Sequence, residues 1–122
     1  MTSAVVFAYH NVGVRCLSVL LDQGVQVILV VTHRDRAYEN IWFDSVEKLA
    51  RAHALPVIAP EDPNDPAVVA QIMALRPDFL FSFYYRNMLA SELLALARRG
   101  AYNMHGSLLP KYRGRVPVNW AV

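Results

Sequence analysis

Residues 103–115 (NMHGSLLPKYRGR) hold the side chains of this sequence that are best suited to chemistry. Asn103 and His105 are two positions apart at the end of the last predicted strand, and side chains at that spacing point to the same face. An amide N–H can donate a hydrogen bond to a developing oxyanion, and an imidazole can move a proton near neutral pH. The pair therefore suits acyl transfer between an amine and a carbonyl carrier, and Gly106 leaves room beside the histidine.

The same two residues also fit a purely structural role. A histidine at a strand end often has only a structural role, in which it makes a hydrogen bond within the fold. An asparagine beside a turn commonly caps backbone groups. Spacing alone therefore leaves both the catalytic and the structural interpretation of Asn103 and His105 open.

Several other chemistries are disfavoured by what the sequence lacks. The turn after the first predicted strand contains one glycine, Gly13, whereas a dinucleotide fingerprint needs several, so a nicotinamide or flavin enzyme is disfavoured. Cys16 is the single cysteine, which excludes an internal disulfide, and we interpret it as a small core residue of a helix. No spacing of His, Cys and Asp is typical of a ligand set, so no metal is expected.

The elements that must position this pair alternate between strand and helix. Short runs rich in β-branched or aromatic residues predict strands over residues 4–9, 25–32, 79–83 and 101–105, and a short strand or extended piece over 55–58. Apolar residues at helical spacing, together with end signals, predict helices over about 12–23, 44–54, 65–75 and 91–98. This alternation predicts an α/β fold, a Rossmann-like and mostly parallel sheet with helices on both faces.

Cap signals and strand ends refine that prediction. Asp44 with Glu47 forms a capping box, Asp65 precedes a proline at the first helical position, and Ser91 is a candidate N-cap. Polar clusters follow the strands at residues 9–11, 32–34, 84–86 and 103–105. Because open parallel sheets bind ligands beyond the carboxyl ends of their strands, these clusters indicate a site there.

Composition places the chain among folded globular proteins. With 55% apolar and 18% charged residues in 122, it can bury one hydrophobic core. The net charge of +2 includes no run of Lys or Arg, which disfavours nucleic-acid binding. The N-terminus lacks signal-peptide features and no apolar run reaches the about 20 residues that span a bilayer, so we expect a soluble cytoplasmic protein without membrane insertion.

The segment Asn103-x-His105-x-Ser107-Leu-Leu-Pro110, followed by Gly114, resembles the signature of enzymes that use 10-formyltetrahydrofolate. Residues 5–10 (VVFAYH), 81–86 (FSFYYR) and 111–115 (KYRGR) resemble one branch of that family, the formyltransferase domain of the bifunctional enzymes that act on UDP-4-amino-4-deoxy-L-arabinose and UDP-glucuronate. These enzymes serve lipid A modification and polymyxin resistance. The resemblance covers essentially the whole chain.

The resemblance implies a role for each matching residue. His105 would be the general acid/base, and Asn103 would stabilise the oxyanion that forms on the formyl group. The folate-binding positions would be Asn87, Met88, Leu89 and Arg115. Three of them have an ordinary alternative, since Met88 and Leu89 also suit a core and Arg115 suits a solvated loop. The neighbouring residues 84–86 suit either acceptor binding or burial.

The resemblance also implies which ligands the protein binds and which part of a catalytic domain these residues cover. The expected ligands are 10-formyltetrahydrofolate as formyl donor and a nucleotide-linked amino sugar as acceptor, with methionyl-tRNA as an alternative acceptor. A non-catalytic folate-binding half-domain is the alternative of another class. Residues 1–122 would be the N-terminal folate-binding part of a catalytic domain, ending before a catalytic aspartate. We therefore expect this stretch alone to be inactive and, through an apolar sheet edge, able to form a homo-oligomer.

Overall fold

One parallel sheet with helices on both faces organises the chain, as the alternating pattern predicts. The computed structural model describes residues 1–34 and 45–104. In those residues the strands are β1 (Ser3–Ala8), β2 (Gln26–Val31), β3 (Val57–Ile58), β4 (Phe79–Phe83) and β5 (Gly100–Met104). The helices are α1 (His10–Asp22), α2 (Val46–Ala52), α3 (Pro66–Leu75) and α4 (Ser91–Leu94). All neighbouring strands are parallel, in the order β3-β2-β1-β4-β5, which confirms the predicted α/β class.

The central strand β1 is buried on both sides, which explains its continuous apolar sequence. Val5 and Phe7 belong to a core cluster with residues of α3 and α4. Val6 and Ala8 belong to a second cluster with residues of α1 and α2. The fold therefore has three layers, with one pair of helices on each face of the sheet.

Helix α1 crosses the sheet at close range, and one glycine permits this. A Cβ atom on Gly13 would lie 3.1 Å from the Cβ of Ala8 and 3.3 Å from the carbonyl oxygen of Phe83. Both distances are tighter than ordinary packing, so a side chain at this position would push the helix away from β1 and β4. The glycine after the first strand thus serves helix–sheet packing.

Cap residues are predicted correctly for α3 and wrongly for α2. Asp65 caps α3 by accepting a hydrogen bond from the N–H of Ala67 at 2.9 Å, with Pro66 as the first helical residue. For α2 the cap is Ser45, whose hydroxyl accepts from the N–H of Lys48 at 3.2 Å. Glu47 therefore does not close a box; its carboxylate pairs with Arg51 one turn later. Asp44 lies outside the described residues.

Helix α4 is shorter than the sequence predicts. Ser91 is its first residue and not its N-cap, and the helix ends at Leu94, three residues later and well before residue 98. The N–H groups of Arg98 and Arg99 donate to the carbonyls of Pro77 and Asp78 at 3.0 and 2.7 Å. These hydrogen bonds to the segment before β4 replace the helical ones, so the tertiary structure ends the helix.

Strand β5 forms one edge of the sheet within the described residues. Tyr102 and Met104 are 38% and 47% exposed on it. They lie on the same side as Phe79 and Phe81 of β4, whose rings pack about 6 Å from that of Tyr102. This apolar strip is continuous from β4 to β5.

Candidate functional site

The carboxyl ends of β1, β2, β4 and β5 bring the predicted polar clusters together. Two residues there, His10 after β1 and Tyr84 after β4, have φ values of +68° and +59°. Their rings stack with centroids 5.3 Å apart. Left-handed backbone costs about 1 kcal/mol or more for such residues, so it persists only where the surroundings enforce it. Paired strain of this kind is typical of functional edges.

A cluster of three aromatic rings, those of Tyr9, His33 and Tyr85, lies at the ends of β1, β2 and β4 together with the guanidinium of Arg86. We call it the aromatic cluster. The His33 ring stacks on Tyr85 with centroids 4.2 Å apart and meets Tyr9 edge-on at 5.1 Å. The Arg86 guanidinium lies 4.7 Å above the Tyr9 ring, within cation–π range. Contacts between three strands thus hold the loop after β4 against the ends of β1 and β2.

His33 is an acceptor in this cluster. Its Nε2 accepts a hydrogen bond from the backbone N–H of Arg86 at 2.9 Å, so the ring proton is on Nδ1. Burial, and then the charge of Arg86, lower the pKa of His33 from 6.5 to about 4. The ring is therefore neutral at pH 7 and holds the loop in place.

This pKa predicts a loss of stability in mild acid. The unfolded histidine takes up a proton near pH 6.5, whereas folded His33 does so only near pH 4, so protons favour the unfolded chain between those values. Because the ring is half-buried and partly screened, we expect a loss of about 1–2 kcal/mol between pH 7 and pH 4. Urea unfolding at several pH values measures it. The variant His33→Gln keeps an acceptor without titrating, and an equal acid loss in it would contradict the prediction.

Tyr85 carries a buried polar atom in the same cluster. Its ring packs edge-on against Phe7 at 5.4 Å, and its hydroxyl has no hydrogen-bond partner within residues 1–34 and 45–104. Burial, and then the charge of Asp62, raise the pKa of Tyr85 to about 12. Tyr85 therefore stays protonated at neutral pH and offers a hydroxyl at the loop after β4.

The predicted folate-binding residues 87–89 follow this loop directly. Met88 is 76% exposed, whereas Leu89 is 4% exposed and packs in the core cluster of α3 and α4. The Asn87 amide donates to the carbonyl of Glu61 at 3.3 Å. The side chain of Leu89 therefore packs in the core, whereas that of Met88 is exposed.

Asn64 holds this segment from the loop before α3. Its Nδ2 donates to the carbonyl of Met88 at 3.0 Å, and its Oδ1 accepts from the N–H of Ala90 at 2.7 Å. Sequence reasoning missed Asn64, because turn-forming neighbours (residues 62–65, DPND) predict only a local turn. No local signal reveals contacts 24 and 26 residues along the chain.

Asn103 lies near the carboxyl end of β5, directly across from buried Ser82 of β4. It alternates with Ala101, which belongs to the core cluster of α3 and α4, so its side chain is on the same face of the sheet as Leu89. Its Nδ2 is buried and has no hydrogen-bond partner among residues 1–34 and 45–104. A buried amide donor without a partner is costly, so Asn103 is equipped to donate to a ligand.

The two remaining predicted site residues, His105 and Arg115, lie outside the described residues.

Within residues 1–34 and 45–104, no group of three or more His, Cys, Asp or Glu side chains is arranged to hold a metal ion. Cys16 is half-buried on α1, and burial raises the pKa of its thiol. In the same part of the chain, no helix is long and apolar enough to cross a membrane.

The parallel strand order β3-β2-β1-β4-β5 defines a Rossmann-like α/β domain whose topological switch point lies between β1 and β4. The family model described as formyl transferase matches residues 8–122, and the chain belongs to that family. The match includes β4, β5 and the segment of residues 103–115.

Two solved structures share this fold. WlaRD, a sugar 3N-formyl transferase crystallised with dTDP and 5-N-formyl-THF, is 18% identical with a TM-score of 0.59. An N-formyltransferase from Helicobacter canadensis, in complex with folinic acid and dTDP-3-aminofucose, is 20% identical with a TM-score of 0.58. Each comparison covers 92% of this chain and 38% of the other, so the chain spans well under half the length of these enzymes.

Proposed function

We propose that this chain is the N-terminal, folate-binding part of an enzyme that transfers a formyl group from 10-formyltetrahydrofolate to the amine of a nucleotide-linked amino sugar. The observation that carries the proposal is the buried Nδ2 of Asn103, which has no hydrogen-bond partner among the described residues and lies at the carboxyl edge of the sheet in a chain of the formyl transferase family. Acyl transfer to an amine needs a hydrogen-bond donor where the carbonyl oxygen becomes negative. Asn103 supplies such a donor.

In the proposed reaction the acceptor nitrogen forms a bond to the formyl carbon, and the formyl oxygen becomes an oxyanion that Asn103 stabilises. The bond from that carbon to N10 of the folate then breaks, and the folate nitrogen takes up a proton. His105, two positions after Asn103, is our candidate to remove the proton from the acceptor amine and deliver it to N10. The chemistry needs no redox step and no further reactant.

We assign folate binding to the segment of residues 87–89 and to Arg115. The side chain of Leu89 is buried in the core, on the same side of the sheet as Asn103. In this proposal the ligand therefore binds the backbone N–H and C=O of Leu89. The folds of two sugar formyltransferases solved with formyl-folates support this assignment at the level of architecture.

For the acceptor we propose a UDP-4-amino-4-deoxy-L-arabinose type of nucleotide sugar, and with it a place in lipid A modification. The support is the likeness of residues 5–10, 81–86 and 111–115 to that branch of the family. The small net charge of +2, without a basic run, offers little for tRNA binding. The proposed location is the cytoplasm, where both substrates would be available.

The test incubates the full-length protein with 10-formyltetrahydrofolate and one acceptor at a time, with product detected by mass spectrometry. The acceptors are UDP-4-amino-4-deoxy-L-arabinose, dTDP-3-aminofucose and methionyl-tRNA. We expect the first to be formylated with the highest kcat/KM. Formylation of methionyl-tRNA alone would contradict the sugar acceptor, and folate binding without any formylated amine would contradict the transferase.

A further inference from the structure

The side chain of Asn64 makes hydrogen bonds to the main chain on both sides of Leu89. Its Nδ2 donates to the Met88 carbonyl at 3.0 Å, and its Oδ1 accepts from the Ala90 N–H at 2.7 Å. A side-chain amide that bonds one carbonyl and one N–H in this way replaces a neighbouring strand. The two peptide groups flanking Leu89 are thereby oriented by one side chain from a different part of the chain.

Peptide geometry then decides where the backbone of Leu89 points. Among the described residues all peptide bonds are trans, and in a planar trans peptide the C=O and N–H point in opposite directions. Because the Met88 carbonyl faces Asn64, the N–H of Leu89 faces away from it. Because the Ala90 N–H faces Asn64, the carbonyl of Leu89 also faces away. One donor and one acceptor of the same residue are thus presented together.

This donor–acceptor pair has no partner of its own in the described part of the chain. No hydrogen bond there involves the N–H or the C=O of Leu89. The side chain of Leu89 is 4% exposed and anchored in the core, so the residue cannot turn to find one. Backbone groups of buried residues are nearly always paired, which indicates a partner supplied by a ligand.

We propose that Asn64 is a positioning residue for the formyl-folate site: through its two hydrogen bonds to the main chain it aims the N–H and C=O of Leu89 at the bound folate. The inference rests on the proposed function. Asn64 acts through Leu89 and does not itself contact the ligand. A planar heterocycle with adjacent acceptor and donor atoms, as in the ring system of a folate, matches the pair that Asn64 presents.

The loop that carries Asn64 is itself held rigidly. Pro63 is fully buried, and the N–H of Asn64 donates to the carboxylate of Asp62 at 2.9 Å. Asn87 adds a second link between the two loops through the carbonyl of Glu61. A support of this kind lowers the entropy cost of ordering the segment when folate binds.

The test compares Asn64→Ala and Asn64→Asp with the matched control Asp65→Ala in the full-length protein. Asp65 is the adjacent residue and caps α3, so its loss also weakens this loop, but no hydrogen bond joins it to residues 88–90. Titration calorimetry with 5-formyltetrahydrofolate measures the Kd. We expect about a tenfold rise in Kd for both Asn64 variants, the result of losing one or two backbone-positioning bonds, and less than a twofold change for Asp65→Ala.

A merely structural role would move other quantities as well. We expect KM for the formyl donor to rise with the Kd in the Asn64 variants, while KM for the amino sugar stays unchanged. Unfolding temperatures should fall by similar amounts for Asn64→Ala and Asp65→Ala. A tenfold rise in Kd for Asp65→Ala too, or an unchanged Kd for both Asn64 variants, overturns the proposal.

Hydrogen exchange of the Leu89 amide tests the same idea without a substitution. Saturating 5-formyltetrahydrofolate should slow that exchange at least about tenfold in the wild-type protein, because the bound ring accepts a hydrogen bond from the Leu89 N–H. Folate binding that leaves the Leu89 exchange rate unchanged overturns the role of Asn64 but leaves the proposed function intact. A wild-type protein that binds no folate overturns the proposed function itself.

Discussion

Replacing Asn103 by alanine is expected to lower kcat for formyl transfer by about 10²–10³-fold, the usual cost of removing one oxyanion donor. The reason is the buried Nδ2 of Asn103, which has no hydrogen-bond partner in the described part of the chain and would donate to the oxygen that becomes negative. Steady-state kinetics of the full-length enzyme measure the effect. Folate affinity should change little, because the hydrogen bond strengthens only as the transition state forms.

Two further variants serve as comparisons for Asn103→Ala. Asn103→Asp keeps the shape but replaces the donor by a carboxylate, so its kcat should fall at least as far. Tyr102→Phe removes only a hydroxyl from the adjacent, 38% exposed residue of β5 and should leave kcat within about twofold of the wild type. If Asn103→Ala retained most of kcat, the structural interpretation of this asparagine would stand and the proposed mechanism would fail.

Replacing Phe7 by alanine is expected to cost about 3–5 kcal/mol of unfolding free energy, the largest stability effect at the site. Phe7 is fully buried in β1 and packs edge-on against Tyr85, the residue on which His33 stacks. The variant leaves a cavity beneath the aromatic cluster and removes the contact that supports Tyr85. Urea unfolding of the full-length protein at pH 7 measures the loss.

The matched controls for Phe7 separate volume from aromatic contact. Phe7→Leu keeps much of the side-chain volume and should cost about 1–1.5 kcal/mol. Val19→Ala on α1, where the side chain is 52% exposed, should change stability by no more than about 0.5 kcal/mol. A loss for Phe7→Ala no larger than that for Phe7→Leu would show that the core closes around the gap.

Local sequence signals predicted the elements well where neighbours in the chain determine them. The run of residues 79–83 became β4 with the predicted bounds, because five consecutive apolar or small residues suit a strand covered on both faces. Asp65 capped α3 as predicted, since the cap and its N–H partner are two residues apart. In both cases the interaction that decides the structure lies within a few positions.

The wrong predictions fall where distant residues compete with local ones. Helix α4 ends early because the main chain near its predicted end bonds to the segment before β4. At α2, Asp44 and Ser45 are both acceptable caps by type, and the hydrogen bond to Lys48 is made by Ser45. Propensity ranks such choices weakly, so tertiary contacts decide them.

Sequence alone determined the α/β class, the position of Asn103 at the end of a strand, and the motif that resembles the formyl transferase family. These follow from periodicity and from a contiguous run of residues, both of which are legible in the chain itself. Only the tertiary structure decided that Asn64 holds Met88 and Ala90, and that Tyr9, His33 and Tyr85 meet at one edge. Those contacts join residues that are distant in the chain and that come together only through the order of the parallel strands.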